Sequence, residues 1–197
     1  MSDVHEHMEH MEHAEHAAHS NRKIALLIAV LALFLALSET LGKSAQVEAI
    51  HADVEGSNVW AFFQAKTIRM ALMRTAAEEL TLEAASVADS TVKTAMDKQI
   101  EAWKKNVARY ESEPETNEGR KELAEKARHL EEERNLYLAK YHHYEIASAA
   151  FQIGIVLCSA AVITGMVALV WFAGVLGAGG LAVMLLGVLA PHIVPLP

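Results

Sequence analysis

Cysteine is almost missing from this chain of 197 residues, which has a single one, Cys158, set inside an apolar run. One cysteine excludes an intrachain disulfide and a cysteine-based zinc site. Proline is scarce too. Of four prolines, three lie in the last seven residues and only Pro114 interrupts the body of the chain, so almost nothing bars long helices. No basic patch carries interleaved aromatics, which argues against a nucleic-acid partner. The net charge of −8 likewise gives no reason to expect attraction to anionic headgroups. From Ile146 to the end there is no Asp, Glu, Lys or Arg at all. GxSxG, P-loop and HExxH signatures are missing, as is a GxGxxG that opens a helix after a strand. The carboxylates alternate with Lys and Arg on polar helical faces, and nothing sets two of them together in an apolar pocket for acid–base work. The chain therefore reads as no enzyme and requires no cofactor.

What is present is apolar residues, 52% of the chain, gathered into three blocks. Residues 24–42 form the first, 146–172 the second and 175–193 the third. At about 1.5 Å rise per residue, a helix of 20 residues spans a hydrocarbon core of about 30 Å. The fold class expected is an all-α membrane protein with three transmembrane helices. A helical-hairpin or coiled-coil insert, residues 43–145, stands between the first and second. Arg22 and Lys23 before the first block also suit a signal peptide, but Lys43 near its end disfavours cleavage and an uncleaved anchor is expected. Gly174, Gly177, Gly179 and Gly180 are read as a turn between the second and third spans, with Pro191 and Pro195 ending the third.

The insert is helical in pattern throughout. Gly56-Ser57-Asn58 and Asp89-Ser90-Thr91 suggest breaks, with Ser57, Asn58, Asp89 or Ser90 able to cap a following helix. Pro114 should stop a helix near Ser112, because the residue before proline is biased away from the α region. Beyond it, Leu123, Ala127, Leu130, Arg134, Tyr137, Tyr141 and Tyr144 alternate steps of four and three, a heptad seam broken by Arg134. The preceding helix, Ser90–Ser112, is its expected partner in a hairpin. Self-association through the same seam is the alternative. Trp60, Phe63, Gln64 and Lys66, with Leu123, Leu130 and Tyr137, are the candidate interaction residues, either core or partner face. Tyr141 and Tyr144 suit the water–lipid boundary. Gln152 could hydrogen-bond a neighbouring helix.

Residues 1–23 form a His/Glu-rich tail in which His7, His10, His13, His16 and His19 recur every third position. Imidazole and carboxylate suit Zn, Ni or Cu. Steps of three drift around a helix by about 60° each, so these His spiral rather than share one face. The tail is thus a solvated extension or a metal-ligand set on composition alone.

The segments HAEHAAHSNRKIALLIAVLALFLALSETLGKSAQ, NVWAFFQAKTIR, RYESEPETNEGRKELAEKARHLE and AFQIGIVLCSAAVIT together resemble the bacterial domain of unknown function 4337 family. Trp60-Ala-Phe-Phe-Gln64-Ala-Lys66 is the most specific piece. The resemblance implies a multi-pass protein of the bacterial inner membrane with a coiled-coil middle, and it implies no activity. Positive-inside counting sets Arg22 and Lys23 against Lys43, Arg128, Arg134 and Lys140, and leans to a cytoplasmic insert. The function expected is a membrane-anchored helical scaffold or interaction protein, as a homo-oligomer or with a membrane-protein partner. A metal-handling membrane protein using the tail, or a small homo-oligomeric channel, are the alternatives.

Overall fold

The computed structural model describes the backbone of residues 2–191 and the side chains of residues 22–191. Four helices account for nearly all of the described residues: α1 (Ser2–Ser86), α2 (Ser90–Glu111), α3 (Arg120–Thr164) and α4 (Val167–Leu189). The chain divides into two compact units. One comprises residues 1–48 and 136–197, and the other is the continuous stretch 49–135. Helices α1 and α3 contribute to both.

The first unit holds the apolar segments of α1 and α3 together with α4. All three helices are long and apolar enough to cross a membrane. Their surfaces fit that reading: Leu26, Leu33, Ile163, Trp171 and Leu189 are each more than half exposed, which water would penalise and lipid would not. Between the helices lies a core of Leu31, Tyr144, Ala147, Phe151, Cys158 and Ala173. The Phe34 and Phe151 rings stack at 6.0 Å.

The second span ends earlier than expected. Helix α3 stops at Thr164, and the next residue, Gly165, takes φ +72°. A left-handed residue just past a helix end is where glycine is favoured. Phe172 therefore lies inside α4, and so do the glycines expected to form a turn. Ala173, Gly177, Gly180, Met184 and Gly187 are buried at steps of four and three. A Cβ on Gly180 would lie 3.0 Å from Phe151 Cε1, and one on Gly187 would lie 2.9 Å from His143 Cβ. Glycines so placed let helices approach closely, as small residues do where helices pack in lipid. They are a packing seam, not a turn.

In the second unit, α1 is the central element. It runs without a break through Gly56-Ser57-Asn58, contrary to the expectation of a cap there. Gly56 is buried against α3, where a Cβ would stand 3.6 Å from Leu130 Cβ. The close approach offsets the roughly 1 kcal/mol that glycine costs a helix interior. The expected capping at the next break is present. Asp89 accepts hydrogen bonds from the backbone N–H of Thr91 (2.7 Å) and Val92 (3.3 Å). The helix α2 ends with Ser112 as its cap, two residues before Pro114.

The heptad seam of α3 finds a different partner from the one its spacing suggests. Leu123, Ala127 and Leu130 bury against Val59 of α1, with Trp60 and Phe63 packed on the same cluster. The small residues Ala52 and Gly56 leave room on α1 for these leucines. Arg134, the break in the seam, ion-pairs with Asp53 of α1 at 2.9 Å. The helix α2 lies along the later part of α1, where Lys104 and Val107 line a groove with Met73, Ala77 and Thr81.

Candidate interaction sites

Polar and aromatic side chains of the second unit converge on the turn between α2 and α3. Lys66 is the key residue. Its side chain is buried, with 4% of the residue exposed. Its Nζ donates to the backbone carbonyl of Glu118 and lies 3.7 Å from the Glu118 carboxylate. The same ammonium sits over the Phe62 ring at 5.1 Å and the Tyr110 ring at 5.4 Å. A buried ammonium requires such partners, because its desolvation is otherwise uncompensated. Lys66 thereby ties α1 to both the end of α2 and the turn.

Arg120, the first residue of α3, pairs with Glu111 at 3.0 Å and lies over Phe63 at 5.0 Å. Its Nε is buried without a partner among the described residues. Phe63 meets Trp60 edge-on at 5.3 Å, a favoured aromatic geometry. The indole N–H of Trp60 donates to Glu131 Oε1 at 2.7 Å.

Glu122 closes the turn. It accepts from the Ser112 hydroxyl at 2.6 Å and from the Glu113 N–H at 3.2 Å. The Ser112 bond, followed by backbone N–H groups, holds its carboxyl below the usual carboxylate range. Gly119 makes room for that carboxylate, since a Cβ there would collide with Glu122 Oε2. Across α1 and α3, Lys126 pairs with Glu55 at 2.9 Å. That hydrogen bond lowers the Glu55 pKa, as the Thr91 and Val92 N–H groups lower that of Asp89.

Of the residues singled out in the sequence, Trp60, Phe63, Lys66, Leu123 and Leu130 all face the interior of the second unit. Gln64 is exposed. Tyr137, in the other unit, is half-buried with the Lys140 ammonium 5.2 Å from its ring. The side chains of His7, His10, His13, His16 and His19 lie outside the described residues. Among the described residues, no three His, Cys, Asp or Glu groups converge as a metal site.

The first unit has its own polar cluster. Buried Ser38 donates to the Tyr144 carbonyl at 2.8 Å. Gln152 donates to Glu39 at 3.2 Å, the interhelical bond expected of it. The neighbouring histidines diverge as helical geometry requires. His142 is half-buried near Glu145, while His143 is 1% exposed. His143 Nδ1 lies 2.7 Å from the Ala139 carbonyl, so it must be the donor; Nε2 is buried without a partner among the described residues. A cavity of about 300 Å³ opens beside Ser38, Glu39, Gly42, Lys43, Tyr141 and Ser148.

Sequence reasoning missed a feature of α1 that needs no side-chain chemistry. On the face turned away from α3, Ile50, Val54, Ile68 and Leu72 are each more than half exposed. Its signal is a second apolar period in the same helix, set on another face from the buried Val59 and Met70.

These arrangements define an all-helical protein with three helices fit to cross a membrane and a separate helical unit built on packing and ion pairs. The family model described as Domain of unknown function (DUF4337) matches residues 20–190, and the chain belongs to that family. No curated protein and no solved structure matches it.

Proposed function

We propose that the protein is a non-enzymatic, membrane-anchored helical scaffold. Its three apolar helices would lie in a bacterial inner membrane, and the unit of residues 49–135 would stand in the cytoplasm and hold a protein partner. One observation carries this reading. In the second unit α1 has two apolar faces, and α2 and α3 cover only one of them. Soluble surfaces rarely keep large apolar side chains in a row without a use, and such rows mark interaction sites. The ionisable groups on the opposite face support the same reading, because they are engaged in holding the helices together.

The test is cross-linking in native membranes, with a photoreactive residue in place of Ile50, Val54, Ile68 or Leu72. A scaffold gives a discrete adduct with a polypeptide, whether its own kind or another. Monomer alone at every position overturns the reading. The side on which the unit lies is tested with Ser90→Cys in a Cys158→Ala background. Labelling of intact cells by an impermeant thiol reagent would overturn the cytoplasmic placement.

A further inference from the structure

We infer that the open face of α1 between Ile50 and Leu72 binds a second copy of this chain, side by side, in parallel and in register. The inference rests on the scaffold reading and names its partner.

The face is continuous. Ile50, Val54, Ile68 and Leu72 are all more than half exposed. Between them, at the same helical spacing, stand Asn58, Ala61 and Ala65, also exposed. At 100° per residue all seven fall within about 80° of arc. Ile50 and Leu72 stand 22 positions apart, crossed in six steps of about 3.7, a period that suits straight or slightly right-handed pairing rather than a left-handed supercoil. None of the seven is charged. The residues of α1 that are buried, among them Ala52, Gly56, Val59 and Met70, lie roughly opposite, so the open face is not a continuation of the filled one.

Three features favour a second copy over another occupant. An isologous contact joins like to like, and this row suits it: bulky branched residues at both ends, small ones in the middle where two backbones come closest. Asn58 is the one polar residue in the row. In paired helices a single buried asparagine is stabilised by its own counterpart across the seam, and it fixes register and copy number. The flanks also agree. In parallel register Phe62 faces Gln64 and Arg69 faces Ala71, with no like charges opposed. Antiparallel pairing would set Arg69 between His51 and Glu55, whose carboxylate Lys126 of its own copy already holds. Ile50, Val54, Ile68 and Leu72, 55–66% exposed, would give such a contact the apolar centre that paired surfaces have.

The experiment uses the full chain in the membranes of expressing cells. Cys158→Ala carries one new cysteine at a time: Val54→Cys, Ala61→Cys or Ile68→Cys on the row, and Lys98→Cys or Glu132→Cys as exposed controls. Mild oxidation is expected to give a disulfide-linked homodimer at all three row positions and at neither control. Linkage at Ala61 alone would mean antiparallel pairing and overturn the parallel register. In the second arm, Ala61→Arg places a charge in the middle of the row. The mass in mild detergent should fall from dimer to monomer with helix content unchanged, and an unchanged dimer overturns the assignment to this face. No homodimer at any row position, with photo-adducts to a different polypeptide there, overturns the second copy and leaves the scaffold reading standing. No adduct of either kind overturns both.

Discussion

The two units solve one problem, holding helices together, by opposite means. In the unit of residues 49–135, side chains interlock. Leu123 and Leu130 enter the surface of α1, Trp60 reaches Glu131, and Lys66 spans from α1 to the turn. In the unit with the apolar spans, side chains are removed instead. Gly177, Gly180 and Gly187 on α4 bring its backbone against Leu31, Phe151 and His143. Water drives the first arrangement, because every buried methylene leaves it. Lipid would not reward burial in this way, so in a membrane contact area from close backbones would have to serve. Glycine serves close approach in both, singly at Gly56 in the one and in series along α4 in the other.

That contrast can be broken most sharply by truncating a leucine. Leu130→Ala should destabilise the second unit by about 3 kcal/mol, through lost burial and a residual cavity. Hydrogen exchange in detergent micelles would show faster exchange of amides in residues 49–135 and little change in α4. Equal acceleration in both would mean that the units do not hold together separately. Gly180→Leu tests the opposite device. Phe151 and the Ala147 carbonyl stand 3.0 and 3.3 Å from the new Cβ. Overpacking should therefore cost about 2 kcal/mol and loosen α4, with the second unit unaffected. Retained protection of α4 would show that its glycines are incidental.

A smaller effect is expected from Lys66→Met, which keeps the stem but loses the ammonium's bond to the Glu118 carbonyl, for about 1.5 kcal/mol in the second unit. Acidification gives the gentlest contrast. Glu122, Asp89 and Glu55 have lowered pKa values in the folded chain. Their stabilisation is full above the ordinary carboxylate range of about 4 and is lost as pH falls through the depressed values. Amide protection in the second unit, with the intrinsic pH dependence of exchange divided out, should fall below about pH 4, and Glu122→Gln should flatten that dependence. An α4 that responds as strongly would contradict the assignment, since it carries no carboxylate.

Local chemistry was legible from the residues; partnership was not. Asp89 caps and Ser112 ends α2 because both events depend on a few adjacent residues and on Pro114. The apolar blocks announced themselves by length. Glycine was the ambiguous letter. Gly165 needs a positive φ and breaks the chain, whereas Gly174 and Gly177 a few residues on lie within a helix, and Gly56 lies in another. Only the neighbours across the gap separate these roles. The seam of α3 was likewise visible as spacing, but spacing does not say which helix fills it. Trp60 and Lys66 drew notice as an unusual segment, and their contacts with Glu131 and Glu118 join residues 71 and 52 positions away. No local pattern encodes such pairings.

The bonds of Ser38 with Tyr144 and of Glu39 with Gln152 join residues 106 and 113 positions apart. On a ribosome adding about 5–20 residues per second, those partners are made on the order of ten seconds after the first apolar segment. The whole of residues 49–135 is synthesised within that interval. Ser38 and Glu39 must spend it in the company of lipid, water or the insertion machinery. The unit of residues 1–48 and 136–197 is thus completed around a first helix made well before the other two.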